Sequence, residues 1–67
     1  MTPTLFREIR QRLGLNQAQL AAVLAFGSHS RISEIEHGKL PIHPRVAELM
    51  SAYDFGYRPD NWPEAQS

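Results

Sequence analysis

The sequence predicts an all-α fold, a small bundle of four helices with room for a fifth near the C-terminus. Apolar residues recur at helical spacing in four stretches, and each stretch is bracketed by residues typical of helix starts and stops. The start signals are Thr2-Pro3, Asn16, Ser28 and Pro44, and the stop signals are Gly14, Phe26-Gly27, Gly38 and Gly56.

Length and composition limit the class of protein. Sixty-seven residues form one small domain, and the 42% hydrophobic content is enough for a single core. A chain of this size buries only about 60% of its unfolded surface, so pairing of two copies would add stability. With no cysteine, disulfides and thiolate zinc sites are excluded, and we expect no cofactor.

The sequence also limits where the protein acts. The longest apolar run, Leu20 to Phe26, is far too short to span a membrane, and the N-terminus has no signal-peptide pattern. We therefore expect a cytoplasmic protein. The net charge is zero, but residues 1–45 carry six basic against three acidic residues, whereas residues 46–67 carry one against four. Such a cationic body can still favour a polyanion on one side.

The first helix is expected from Pro3, after Thr2 as its N-cap, to about Leu13, with Gly14 ending it. The last helix is expected from Pro44 to about Tyr53. The tail after Gly56 is proline-containing and acidic, which argues against a regular helix. Three aromatic residues lie in or next to this tail, namely Phe55, Tyr57 and Trp62.

The chain is organised around residues 15–39, which predict two short helices joined by a tight turn. The first runs from Gln17 to about Ala25, the turn is Phe26-Gly27, and the second runs from about Ser28 to Glu36. At 100° per residue, Ile32 and Ile35 fall on one face of the second helix. The opposite face carries small and hydrogen-bonding groups, which a DNA major groove can accept: His29, Ser30, Ser33, Glu34 and His37.

The run L-G-L-N-Q-A-Q-L-A, followed by I-S-E-I-E-H-G-K, resembles the helix-turn-helix of the phage repressor and Cro family, also called the XRE-like group. The resemblance covers roughly residues 4 to 53 and implies a lambda-repressor-like domain in residues 1–56, with residues 57–67 as a tail. One departure is an extra residue within Phe26-Gly27-Ser28. It shifts the expected register of the second, recognition helix by about one residue.

Contacts with double-stranded DNA follow from this register. The expected base-contacting residues are His29, Ser30, Arg31, Ser33 and Glu34. The expected phosphate-contacting residues are Gln17, Ser28, His37, Lys39 and Arg45, of which Gln17 matches a glutamine that touches the DNA backbone in the family. Glu34 either reads a base or pairs with Arg31 on a solvated face.

The resemblance also implies a structural ion pair between Arg10 and Glu36; the alternative is an Arg10 that only lies along the surface. The aromatic residues Phe55, Tyr57 and Trp62 either fold over their own core or anchor a second subunit, and we favour the dimer contact. Together these features predict a sequence-specific transcriptional regulator, a phage or mobile-element repressor that binds a palindromic operator as a homodimer.

Other classes of protein agree less well with the sequence. His29, His37 and His43 are spaced by eight and six residues without a carboxylate cluster, so we expect no metal site. No nucleophile–base pair or glycine-rich phosphate loop is apparent, and we do not expect an enzyme. The remaining alternative is an antitoxin-like interaction module that also binds DNA and grips a protein through its aromatic tail.

Overall fold

A computed structural model describes residues 1–63, in which four helices and no strand are found. The helices are α1 (Pro3–Arg12), α2 (Gln17–Val23), α3 (Ser30–Glu36) and α4 (Pro44–Asp54). The expected four-helix, all-α fold is therefore confirmed. Residues 64–67, which end the expected tail 57–67, lie outside the described residues.

Local signals start three of the helices as expected. The Thr2 hydroxyl accepts a hydrogen bond from the Leu5 amide at 3.1 Å, and Pro3 opens α1. Asn16 and Gln19 form a reciprocal capping box at the start of α2. At the start of α4 the His43 ring accepts from the Arg45 amide at 3.1 Å, which satisfies one of the free amides of that helix end.

All four helices end in the same way. The residue after each C-cap adopts a left-handed conformation. Its amide and the amide of the residue after it donate to carbonyls of the last helical turn, as in a Schellman motif. In α1, α3 and α4 that residue is a glycine with a φ of 74°, 75° and 114°, namely Gly14, Gly38 and Gly56. In α2 it is Ala25, with a φ of 60°.

The core lies where α1, α3 and α4 meet and continues under α2. Its fully buried members are Phe6, Leu20, Ile32, Met50 and Trp62. The apolar residues at helical spacing in α1 are Leu5, Phe6, Ile9 and Leu13, and all are buried except Leu5, which remains 39% exposed. The 3.6-residue period thus identifies the core residues of this helix, but the buried stripe is narrower than the apolar stripe in the sequence.

The tail is part of this core, which corrects the expectation for one aromatic residue. Trp62 is only 1% exposed, packs edge-on against Tyr53 with ring centroids 5.2 Å apart, and lies beneath the Arg58 guanidinium at 4.4 Å. It therefore does not present its ring to a second subunit; burial of its large apolar surface within its own chain prevails. Phe55 and Tyr57 remain 94% and 57% exposed.

The tail also contacts the end of α2. The Asn61 amide donates to the carbonyl oxygens of Ala22 and Val23, both at 3.3 Å. These are carbonyls of the last helical turn, which need partners from outside the helix. The segment after Gly56 consequently supports the helix that precedes the recognition helix, and it is not an independent appendage.

Candidate nucleic-acid interface

The turn between α2 and α3 is longer than expected. Helix α2 ends at Val23, two residues before the expected Ala25, because Leu24 is its C-cap and Ala25 turns into the left-handed region. The Phe26 amide donates to the Ala21 carbonyl at 2.8 Å, which closes the turn. The expected two-residue turn Phe26-Gly27 is therefore wrong, since the reversal occupies residues 24–29.

The start of the recognition helix is also later than expected. Helix α3 begins at Ser30, and the N-cap position is His29, which makes no side-chain cap. Ser28 lies one residue earlier, where its hydroxyl accepts from the Ser30 amide at 3.1 Å. The expected helix start at Ser28 is corrected by two residues, because the extra residue in the turn is absorbed before the helix and not within it.

Helix α3 is attached to the domain by one narrow face. Ile32, Ile35 and Glu36 are buried, and they point toward α1 and α2. On the other side, exposed to solvent, are His29, Ser30, Arg31, Glu34 and His37. Ser33 is half-buried at the edge of this outer face. The two isoleucines thus anchor the helix and leave a polar surface free, as the sequence predicts.

Two side chains of the outer face are held by neighbours. The Arg31 guanidinium lies 5.7 Å from the centre of the Phe26 ring, a cation–π contact that positions it beside the turn. The His37 ring nitrogen Nδ1 lies 2.8 Å from the Ser33 carbonyl oxygen, so it donates there. The described residues contain no ion pair between Arg31 and Glu34, so the Glu34 carboxylate is exposed and uncommitted.

Glu36 fixes the position of α3 on the domain. Arg10 donates to its two carboxylate oxygens at 2.6 and 3.1 Å, which is the ion pair that the resemblance implies. The same guanidinium donates to the Leu15 carbonyl at 2.9 Å, and the exposed Arg7 lies 3.7 Å from the carboxylate. One buried carboxylate therefore connects α1, the loop after it and α3.

The protonation state of Glu36 follows from these contacts. Burial alone would raise its pKa, but the hydrogen bonds from Arg10 and Gln17 and the charges of Arg10 and Arg7 lower the pKa below the ordinary value. The carboxylate is therefore ionised at neutral pH and compensated within the domain.

Gln17 makes a contact that the sequence did not reveal. Its side-chain amide donates to Glu36 at 3.1 Å, which adds Gln17 to the network around this carboxylate. An amide nitrogen carries two N–H groups, and this bond uses one of them. The expected phosphate contact by Gln17 therefore stays a prediction, since the second N–H can donate to the DNA backbone.

Exposed cations flank the outer face of α3. Lys39 follows the helix, with its amide bonded to the Glu34 carbonyl at 2.8 Å, and Arg45 stands at the start of α4. With Arg31 they give three exposed cations against the single exposed carboxylate of Glu34 in residues 28–45, since Glu36 is buried. This surface is positive although the whole chain is neutral, and it suits a polyanion.

Sequence reasoning missed two contributors to this region. Arg7 lies beside the Glu36 network with half of its side chain exposed, so it adds a cation next to α3. Asn61 supports the end of α2 from a tail that the resemblance does not cover. Helical spacing could have placed Arg7 one turn before Arg10, whereas nothing in the sequence connects Asn61 to residues 39 positions earlier.

Within residues 1–63, no three histidine, aspartate or glutamate side chains come together to hold a metal ion. In the same residues, no helix has the length and apolar character needed to cross a membrane.

The geometry defines a class of protein, namely a small helical domain in which two short helices and a turn expose the second helix. The family described as "Helix-turn-helix domain" matches residues 4–59. The chain belongs to this family. Neither a curated protein nor a solved structure gives a significant match. Membership in a DNA-binding family suggests DNA as the partner, and such domains are typically not enzymes.

Proposed function

We propose that this protein is a sequence-specific transcriptional regulator, a phage or mobile-element repressor that binds a palindromic operator as a homodimer. The observation that carries the proposal is the outer face of α3, which is polar, exposed and flanked by cations. A major groove about 12 Å wide accepts one helix presented in this way.

Within this proposal, the outer face contains residues that contact bases and residues that contact phosphates. Ser30 and Glu34 lie four residues apart on the exposed face of α3 and are assigned to base edges, together with His29, Arg31 and the half-buried Ser33. Ser28, His37, Lys39 and Arg45 surround this line and are assigned to phosphates. The free amides at the start of α2, next to Gln17, supply further donors to the backbone.

Repression by this mechanism requires only that the protein occupies its operator. Two recognition helices about 34 Å apart, one turn of DNA, would read the two halves of an inverted repeat. A dimer seated there would block access of RNA polymerase to an overlapping promoter. The domain needs no cofactor for this.

Selection of bound DNA from a random duplex pool tests the proposal. We expect enrichment of an inverted repeat whose half-sites are about ten base pairs apart. A matched control is the variant Ser30→Ala/Glu34→Ala, which should retain binding but enrich a different half-site. If the natural protein enriches no sequence and binds no duplex at low salt, the proposal is wrong.

One observation favours a second candidate, an antitoxin-like protein that binds DNA and a protein partner. Phe55 and Tyr57 expose aromatic surface on the side of the tail, and such residues are enriched at protein interfaces. Co-purification of the natural chain, but not of Phe55→Ser/Tyr57→Ser, with one defined small protein would support this candidate.

A further inference from the structure

Phe26 lies in the turn that connects α2 to the recognition helix α3. Its amide donates to the Ala21 carbonyl at 2.8 Å, and the left-handed Ala25 before it turns the chain away from α2. Its side chain is half-buried and packs against the core cluster. The ring is therefore fixed by the turn and by the core, and part of its surface stays accessible to a neighbouring side chain.

That neighbour is Arg31, whose guanidinium lies over the ring at 5.7 Å from its centre. A cation at this distance is attracted by the negative charge of the aromatic face. The arginine side chains that donate hydrogen bonds or form ion pairs in residues 1–63 include Arg10, Arg12 and Arg58, but not Arg31. The N–H donors of Arg31 are thus held by the ring and remain available to a ligand.

The ring determines where the guanidinium lies along α3. At about 100° per residue, Arg31 is about 100° from the exposed Ser30 and about 40° from the buried Ile35, so it leaves the helix at its flank. Side chains of a helix lean toward its N-terminus. The contact with Phe26, which lies before the helix, therefore brings the guanidinium to the start of α3, the part of a recognition helix that contacts base edges.

The surroundings of the guanidinium contain no competing anion. Phe26 and Arg31 line a cleft between α3 and the start of α4, together with apolar side chains such as Ile35 and Leu40. Among the described residues, none of those that line this cleft is acidic. The guanidinium consequently keeps its charge uncompensated at the surface that faces the DNA of the proposed function.

From this arrangement we infer that Phe26 is a positioning residue for base recognition, because its ring holds the Arg31 guanidinium where it donates to a guanine. Arginine suits guanine because two of its N–H groups can bond to O6 and N7 together, and such a pair requires a fixed guanidinium plane. The inference rests on the proposed function. It adds a residue outside α3 that sets the base preference of the protein.

One alternative is that Phe26 contributes only to stability. The half-buried ring packs against the core, so its removal would lower the free energy of unfolding in either case. A purely structural ring would leave the base preference of the folded protein unchanged. Base preference is therefore the measurement that distinguishes the two roles.

A second alternative is that Arg31 contacts a phosphate, like the cations assigned to the DNA backbone. Such a contact adds affinity at every sequence and carries no base preference. Arg31→Ala would then weaken all duplexes alike. This result would overturn the inference, whatever the effect of Phe26.

Single-base variants of the selected operator test the role of the ring. Arg31→Ala should lower the preference for guanine at one position of each half-site roughly tenfold or more. At that position, Phe26→Leu should lower the preference roughly two- to fivefold, because the cation–π contact is lost. Phe26→Tyr keeps an aromatic ring and should retain the preference. An unchanged preference in Phe26→Leu would overturn the inference.

Leu49→Ala is the matched control for stability. Leu49 is half-buried on α4 and packs against the same core, but it does not belong to the cleft that Arg31 lines. Both Leu49→Ala and Phe26→Leu should lower the midpoint of urea unfolding, and only Phe26→Leu should change the base preference. An equal change of preference in the two variants would show that lost stability is the cause and would overturn the inference.

A double-mutant cycle tests whether Phe26 acts through Arg31. The variant Phe26→Leu/Arg31→Ala should have the base preference of Arg31→Ala alone, since the ring then has no guanidinium to hold. A further loss of preference in the double variant would show that Phe26 acts by another route, which would overturn the inference.

The outcomes separate this inference from the proposed function. A natural chain that binds no duplex at low salt contradicts the regulator and, with it, the inference. A natural chain that binds a defined operator, with a base preference that Phe26→Leu does not alter, supports the regulator and contradicts the inference alone.

Discussion

Ala25 and Gly38 occupy the same position, one residue beyond the C-caps of α2 and α3, and both adopt left-handed conformations with φ of 60° and 75°. Each is followed by a residue whose amide turns back to the helix, from Phe26 to Ala21 and from Lys39 to Glu34, both at 2.8 Å. Only the second position has the residue type suited to it. The turn of the helix-turn-helix therefore carries backbone strain that the other helix ends avoid.

This strain predicts that Ala25→Gly stabilises the protein. A left-handed alanine costs about 1–2 kcal/mol, part of which is offset because glycine gains more freedom when unfolded. We expect a net increase of roughly 0.5–1 kcal/mol in the free energy of unfolding, measured by urea denaturation. Gly38→Ala is the matched control and should lose about 1 kcal/mol, since its Cβ meets no atom within 4 Å and only the conformation is strained.

The Glu36 network predicts acid destabilisation. Because the pKa of Glu36 is lower in the folded protein than its ordinary value of 4.5, its stabilisation is complete above about pH 4.5 and is lost as the pH falls through the folded pKa. Urea unfolding at a series of pH values should show this loss, and carboxyl NMR should place the pKa of Glu36 below 4.5. A Glu36 pKa at or above 4.5 would contradict the prediction.

Removal of one partner of this network should be costly. Glu36→Gln leaves the Arg10 guanidinium largely buried without its counter-charge, and we expect a loss of roughly 3 kcal/mol at neutral pH. Arg12→Ala, which breaks an ion pair between solvent-exposed side chains, should cost far less, because water screens such a pair. Thermal unfolding of the two variants side by side measures the difference, and equal losses would refute the central role of Glu36.

The two ends of the aromatic segment should differ sharply in their effect on the monomer. Trp62→Ala empties a fully buried site and should cost roughly 3–5 kcal/mol, enough to unfold so small a domain. Trp62→Phe should cost less, since the ring is retained and the indole N–H has no hydrogen-bond partner within residues 1–63. Phe55→Ala should change unfolding by no more than about 0.5 kcal/mol under dilute, monomeric conditions.

Measurements of DNA binding should distinguish residues that contact phosphates from residues that contact bases. Lys39→Ala should weaken every site alike and lower the slope of log affinity against log salt by about 1 per half-site. Ser30→Ala should change the preferred base at one position by roughly 1–3 kcal/mol and leave the slope unchanged. Fluorescence anisotropy with the selected operator and single-base variants, over a range of salt concentrations, distinguishes the two. A shifted base preference in Lys39→Ala would contradict the assignment of Lys39 to a phosphate.

Periodicity and capping residues predict most of the fold. Thr2-Pro3, the Asn16–Gln19 box and Pro44 start helices where expected, and spacing alone identifies Ile32 and Ile35 as the anchors of α3. These signals act within one helical turn, so they survive in the sequence. The end of α2 was misplaced because Ala25 is a good helix former whose left-handed conformation is imposed by the turn that follows.

Contacts across long sequence separations were harder to predict. Trp62 reaches the core and Asn61 reaches α2 only because the segment after Gly56 returns over the domain, which no local pattern specifies. The bond from the Gln17 amide to Glu36 was missed for a similar reason, since the carboxylate lies nineteen residues later. The polar outer face of α3 was predictable because it is what remains once the two anchoring isoleucines are placed.

The position of Trp62 has a consequence for synthesis of the protein. Translation delivers Phe6 to the nascent chain first and Trp62 long after it, yet the two side chains belong to one core. Until the ribosome has released the segment up to Trp62, the helices lack the ring that completes their packing. The recognition helix thus acquires a stable platform only once Trp62 has joined the core, and a nascent chain arrested before this tryptophan would expose apolar surface to chaperones and proteases.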